Sequence, residues 1–323
     1  MDNRVIPILF TSAGRRVELL RCFRSAAERL GIDIAIHACD LDSELSAACQ
    51  DADFAFDVPR CSAPDYVHTL FDYCRAHGIK LLVPTIDPEL MPLAEARERF
   101  ASIGCMLHER GVETIEIERD KAVTTKVLAE HGVPVPRTAY VDEVRAAPES
   151  WLWPLFIKPS AGSASRGIGL IHSVNEIADT YSEPMIVQEN LNGDEYTVNI
   201  YVDADGELVT AVPHKRLAVR AGEVEKGITE RRSDIRDLAE RVVTALPNPS
   251  GIMCFQLIED ADRGVRVFEI NARFGGGYPL ADRAGGRFAE SLLARVASMP
   301  ECASDEWSEG VKMLRYDAAV FRD

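Results

Sequence analysis

Over roughly the first 115 residues, apolar runs of strand length alternate with amphipathic runs of helix length. "VIPILF" (5–10) leads through the turn "TSAGRR" into "VELLRCFRSAAERLG", which should end at Gly31. "IDIAIHACD" (32–40) is a second strand, "YVHTLFDYCRAHG" (66–78) a helix and "KLLVPTID" (80–87) a third strand; another helix and the short "IGCML" follow. Strands separated by helices cannot pair as hairpins, so this half is expected to form a parallel, doubly wound sheet. The rhythm then changes. "DEYTVNIYVDADGELVTAVPHKRLAV" holds two long strands about a turn at Asp205-Gly206, and "GIMCFQLIED" with "VRVFEINAR" makes a second hairpin over "ADRG". The fold class is α/β, becoming α+β in the second half.

Between these regions lies a capped helix in "RDKAVTTKVLAEHG", with Asp120 as its cap and Gly132 at its end. "WLWPLFIKPS" and "GIGLIHS" are strands around a glycine/serine loop; "VNEIADTYSE" (174–183) reads as a helix and "PMIVQENL" as a strand. Helices are expected in "SDIRDLAERVVTAL" and "GRFAESLLARVAS", and a closing strand in "VKMLRYDAAVF".

Lys plus Arg number 36 against 52 Asp plus Glu, a net charge of -16. Such a surface argues against a general nucleic-acid binder and against an anionic-membrane binder. The eight cysteines are scattered without CxxC or zinc spacing, as in a reducing compartment. "MDNRVIPILF" is too short an apolar run for a signal peptide, and no stretch approaches the roughly 18 apolar residues of a membrane span. A cytoplasmic location is expected.

Only Gly14 is available in the first strand–helix turn, so the G-x-G-x-x-G dinucleotide fingerprint is absent. In "KPSAGSASRGIG" (158–169), Gly162 and Gly167 have P-loop spacing, but Ile168-Gly169 stand where Lys-Ser/Thr should be. The lysine instead precedes the loop, as Lys158. Free backbone N–H groups in such a loop suit polyphosphate, while a plain hairpin loop accounts for it equally well. In "VFEINARFGGGYP", Glu269, Asn271 and Arg273 alternate along a strand, which places all three on one face. Two oxygen ligands beside a fixed cation suit a metal–phosphate group.

In order along the chain, these motifs resemble those of the ATP-grasp enzymes, in the branch related to the carbamoyl-phosphate synthase large chain and the pyrrolysine-biosynthesis ligase. "LFTSAGRRVELLR" is similar to that branch's Rossmann-like pre-ATP-grasp domain. The resemblance implies three units: a pre-ATP-grasp domain at 1–117, a small lid subdomain at 118–190 and a C-terminal grasp subdomain at 191–323. It implies phosphate-binding lysines at Lys121 and Lys158, and a flap over the phosphates with Ser160, Gly162, Ser163 and Gly167. It implies an adenine-reading hinge at Glu189, Asn190 and Leu191, and a ribose-binding acid at Glu195. That acid should share a face with Glu189 if the strand runs unbroken through Gly193. Metal ligands are implied at Gln256, Glu269 and Asn271, for Mg²⁺ or Mn²⁺ bridging to ATP phosphates. Arg273 would bind the transferred phosphate or acyl phosphate, and the glycines after it would let backbone approach the acceptor. A further cation is implied on "VPHKRLAV", Arg216 being favoured over Lys215; Lys226 reads as a solvated loop lysine.

The activity so implied is an ATP-dependent carboxylate–amine ligase acting on small molecules through an acyl phosphate, with a homodimer as a compatible assembly. Two alternatives stand beside it: bicarbonate phosphorylation with partner subunits, as in carbamoyl-phosphate or carboxylase systems, and an ATP-binding regulatory module without turnover.

Overall fold

In the computed structural model, residues 5–108, 111–162 and 167–321 are described. The first half is the parallel sheet that its alternating pattern predicts. Strands β1 (Ile6–Thr11), β2 (Ile34–Asp40), β3 (Phe54–Asp57), β4 (Leu81–Pro84) and β5 (Met106–Leu107) run in the order β3-β2-β1-β4-β5. All four pairings are parallel. The helix Val17–Leu30 ends where Gly31 adopts φ 66° and donates its amide back to the last turn. Because β1 lies between β2 and β4, the order reverses beside it. Its carboxyl end and that of β4 therefore open a crevice, the usual ligand position in such sheets.

The second half holds two antiparallel sheets. A four-stranded sheet joins β6 (Thr138–Tyr140), β7 (Leu155–Pro159), β8 (Gly169–Ile171) and β9 (Met185–Glu189) in the order β6-β9-β7-β8. A six-stranded sheet runs β14-β13-β10-β11-β12-β15, built from β10 (Gly193–Val202), β11 (Leu208–Arg220), β12 (Glu223–Thr229), β13 (Gly251–Asp260), β14 (Gly264–Asn271) and β15 (Lys312–Leu314). Both expected hairpins form, with Gly206 at φ 86° and Gly264 at φ 69° in their turns.

Five expectations need correction. No helix spans 174–183; a single 3-10 turn covers Val174–Glu176. Only Val174 and Ile177 of that stretch pack on the core beneath, and the Glu176 carboxylate turns back to accept the His172 amide. Asp, Thr, Tyr and Ser that follow are weak helix formers and cannot extend one turn unaided. Glu189 and Glu195 do not share one strand: β9 ends at Glu189 and β10 belongs to the other sheet, so their six-residue spacing says nothing of a common face. The triplet does not share one strand: Glu269 and Asn271 keep their alternation, but β14 ends at Asn271 and Arg273 lies beyond it, and a bulge precedes the three. Gln256 pairs with Glu269 and Leu257 with Val267, leaving Phe268 as a bulge. Hence Val267 and Ile270, three apart, both enter the same core. Residues 223–229 form a strand rather than a loop, although Lys226 is exposed on it. The closing strand is limited to Lys312–Leu314.

One hydrophobic core spans the first sheet and the end of the chain. Phe10 and Phe23 meet edge to face at 4.9 Å, Phe23 meets Phe274 at 5.6 Å, and Phe274 meets Tyr278 at 4.6 Å. These buried rings pin the segment after β14 against the parallel sheet.

Candidate active site

Asp120 caps the helix Lys121–Glu130, its carboxylate accepting the amides of Ala122 and Val123. Lys121 is therefore fixed in the first turn, where the helix dipole disfavours a cation. It is nevertheless 8% exposed rather than solvated. Its amide donates to the Ser160 carbonyl, its Nζ donates to the Gly162 carbonyl at 2.7 Å, and that Nζ lies 3.7 Å from Glu269. The lysine ties the helix to the start of the glycine loop and to β14. Ser163 lies outside the described residues, whereas Ser160 is buried and Gly162 and Gly167 take φ 99° and 63°.

Lys158, at the end of β7, is 6% exposed, and its Nζ sits 5.2 Å over the Phe268 ring. The bulge thus presents Phe268 toward this lysine. Burial pushes the Lys158 ammonium down to about 8, Glu269 raises it, and Lys121 lowers it further. Two buried ammonium groups facing one carboxylate make a place for further negative charge.

Around Glu195 and Gln256 the organising group is Arg216. Its guanidinium bonds the Glu195 carboxylate, donates to Gln256 Oε1 at 3.1 Å and donates to the Gly222 carbonyl at 2.8 Å. Burial pushes the Glu195 carboxyl up, against the pull of Arg216. Lys215 points away to Asp194. His214, on the same strand, is fully buried, and burial with Arg216 and Arg315 holds it neutral, its pKa lowered to about 3.

Gln256 lies directly opposite Glu269, and Asn271 is buried at the end of β14. Asn271 Oδ1 accepts from Arg273 at 3.2 Å, as Gln256 Oε1 accepts from Arg216. Each amide oxygen keeps a second lone pair, and Glu269 brings the carboxylate. Such hard oxygen donors fit a Mg²⁺ or Mn²⁺ ion.

Arg273 follows the strand and is held by Asp87, with Nε and one Nη donating to its two carboxylate oxygens at 2.7 and 2.9 Å. Burial works against its charge, but Asp87 overrides this and raises its pKa. Asp87 sits in the 3-10 turn just beyond β4, at the crevice. The turn is anchored by buried Glu89, which accepts Ser12 Oγ at 2.9 Å, the amides of Thr85 and Ile86 at 2.7 and 3.0 Å, and the Tyr66 hydroxyl.

At the hinge, the Glu189 amide donates to the Arg137 carbonyl, and its carboxylate accepts the Arg137 amide, both at 3.0 Å. That amide is committed, so a base here would be met by the Glu189 carbonyl and by groups beyond it, at Asn190 and Leu191. The glycine triplet also plays a part the motif did not suggest. A Cβ at Gly275, Gly276 or Gly277 would lie 2.9 Å from Cys254 Sγ, 2.7 Å from the Glu223 carboxyl or 2.5 Å from His214 Nε2. These glycines let the loop lie flat on side chains of the sheet. Asp87, Glu223 and Glu89 were absent from the sequence reading; the end of β4 beside the strand-order reversal was the one signal for Asp87.

If phosphate binds between these lysines, Lys158 should take up a proton. Calorimetry at pH 8.5 in buffers of different ionisation enthalpy should show uptake on MgADP binding, absent at pH 6.5 and abolished by Lys158→Met. The sign follows from the lowered pKa: above about 8 the free protein holds this lysine increasingly neutral, so binding must protonate it and affinity falls as pH rises. The same shift makes the free fold gain stability as pH rises through that value.

Known proteins resemble this chain in two segments. Residues 8–108 match the PylC-like, N-terminal domain and residues 118–277 the ATP-grasp domain. A D-alanine--D-alanine ligase of Corynebacterium aurimucosum is 27% identical over 193 residues, covering 57% of this chain and 53% of that protein. The chain thus spans about half the length of this curated relative. In structure, biotin carboxylase from Campylobacter jejuni, solved as a beta-gamma-ATP complex, superposes with a TM-score of 0.75 at 16% identity, over 95% of this chain and 74% of that one. N5-carboxyaminoimidazole synthetase from Staphylococcus aureus gives 0.71 at 13% identity, over 95% and 82%. At these identities the superpositions establish the shared fold. Among the described residues, no helix is long and apolar enough to cross a membrane.

Proposed function

Because this chain belongs to the ATP-grasp superfamily and carries a PylC-like N-terminal domain, we propose that it is an ATP-dependent carboxylate–amine ligase that releases ADP and phosphate. The observation that carries this reading is the convergence of Lys121 and Lys158 on Glu269, beside Gln256, Asn271 and Arg273. A protein that only sensed ATP would have no use for Arg273, which lies beyond the metal-type ligands at the crevice. The division at 1–117, 118–190 and 191–323 belongs to this proposal, and one sheet falls within each part.

In this reading the cofactor is ATP with Mg²⁺ or Mn²⁺, held through Gln256, Glu269 and Asn271. The metal would offset phosphate charge when bound. Lys121 and Lys158 grip the phosphates, and Glu189 through its carbonyl, Asn190, Leu191 and Glu195 meet the nucleoside. A substrate carboxylate oxygen attacks the γ-phosphorus, giving an acyl phosphate and ADP. The amine then attacks the acyl carbon, loses a proton and expels phosphate. Arg273, oriented by Asp87, steadies the transferring group, so catalysis rests on positioning and electrostatics. Small-molecule substrates and a homodimer complete the proposal.

Arg273→Lys and Lys158→Ala test it as a pair. The lysine keeps the charge but cannot form the bidentate bond with Asp87. ATP affinity should change little, while ADP formation with true substrates falls at least about tenfold, roughly 1.4 kcal/mol of transition-state stabilisation. Lys158→Ala should weaken ATP binding itself. Equal losses of ATP affinity in calorimetric titrations would make Arg273 another nucleotide anchor and remove its catalytic role.

A further inference from the structure

Three segments distant in sequence meet on Glu223, the first residue of β12. Arg16, in the turn after β1, places Nη2 3.3 Å from Glu223 Oε1. Arg315, just past β15, places Nη1 2.9 Å from Glu223 Oε2. The other Nη of Arg315 donates to the Gly276 carbonyl. Gly276 has no side chain to spare here, because a Cβ would strike the Glu223 carboxyl at 2.7 Å. Arg315 lies outside both segments matched by the family models, so those matches do not account for it.

Arg16 and Arg315 share the one carboxylate of Glu223, while neighbouring Asp87 is taken by the fork of Arg273. The side chains of Arg16 and Arg315 are 19% and 30% exposed, so their charge is only partly dissipated by water. Burial pushes the Arg16 pKa down, Glu223 raises it, and Arg273 and Arg315 lower it further. Glu223 demonstrates the geometry: a planar carboxylate fits between the two arginines with one oxygen on each. Each guanidinium has five N–H donors, more than Glu223 and the Gly276 carbonyl take up.

We infer that Arg16 and Arg315 receive a carboxylate that the substrate carries but does not activate, beside the reacting group at Arg273. This rests on the ligase reading and names a substrate class for its site: small molecules with a second, non-reacting carboxylate. Glu223 holds the two guanidiniums in register and offers an acid to a cationic group on the same substrate, such as an ammonium.

Malonate, as the smallest dicarboxylate probe, should be titrated calorimetrically into the full chain, alone and with saturating MgADP, against sodium chloride of equal ionic strength. Wild type should bind it, with affinity at least about tenfold weaker in Arg16→Ala and in Arg315→Ala and partly restored in Arg16→Lys. MgADP affinity should be the same in all four proteins, which also reports that each is folded. Equal malonate affinity in wild type and both alanine variants, or no malonate binding to wild type at tens of millimolar, overturns the inference. Failure of wild type to bind MgADP would instead count against the ligase reading, and the malonate titration without nucleotide would still be read.

Discussion

Replacing Gly193 by alanine should cost at least about 3 kcal/mol of stability, among the largest effects of any single methyl group in this chain. A Cβ there would lie 1.9 Å from the Glu259 carbonyl oxygen and 2.7 Å from its carbon. These are backbone atoms of β13, paired with β10 across the sheet, and they cannot swing aside. The crowding falls where the chain leaves the four-stranded sheet for the six-stranded one. Next to it, Asp260 accepts the Asn192 amide at 2.7 Å and fixes the entry to β10. The thermal midpoint should fall by roughly 6–10 °C. Gly264→Ala is the control: its φ is 69° but nothing lies within 4 Å, so only the backbone preference, about 1 kcal/mol, is lost. A scan placing both variants at the same midpoint would refute the steric account.

Glu269→Gln should leave the fold intact and reduce ATP turnover at least about a hundredfold. The amide has the carboxylate's shape, but the negative charge that both lysines face disappears. Lys121 Nζ is 3.7 Å from that carboxylate, and Glu269 favours the charged form of Lys158. The substitution therefore weakens metal affinity and lowers the Lys158 pKa further. Metal titrations should show a higher Mg²⁺ requirement, and the pH profile should lose activity at lower pH. A folded variant with near-normal ADP release would remove Glu269 from the site.

The parallel sheet was legible because strand–helix alternation leaves few other ways to pair, and Asp205-Gly206 and "ADRG" announce their hairpins locally. What the pattern could not convey were events that depend on a neighbouring strand. The bulge at Phe268 exists only in the pairing of β14 with β13, and it alone sends Val267 and Ile270 to one side. Nor could alternation foresee that β9 and β10 part into different sheets, which voids the parity linking Glu189 to Glu195. In 174–183, apolar spacing suggested a helix, yet the core offers room for Val174 and Ile177 only. The candidate site shows the same division. Residue types in "VFEINARFGGGYP" pointed to metal and phosphate chemistry, but Asp87 reaches Arg273 across 186 residues of chain. Glu223 and Arg315 meet across 92, a distance at which motif spacing carries no information.

The oxygen carried by the released phosphate reports whether a carboxylate is phosphorylated. The chain would be incubated with MgATP, pooled amino acids bearing ¹⁸O in their carboxylates, and unlabelled amines, and the phosphate analysed by mass spectrometry. Attack of a carboxylate on the γ-phosphorus predicts that each phosphate formed with ADP carries one oxygen from the labelled acid. ADP accompanied by phosphate whose new oxygen comes from water would contradict an acyl-phosphate ligase.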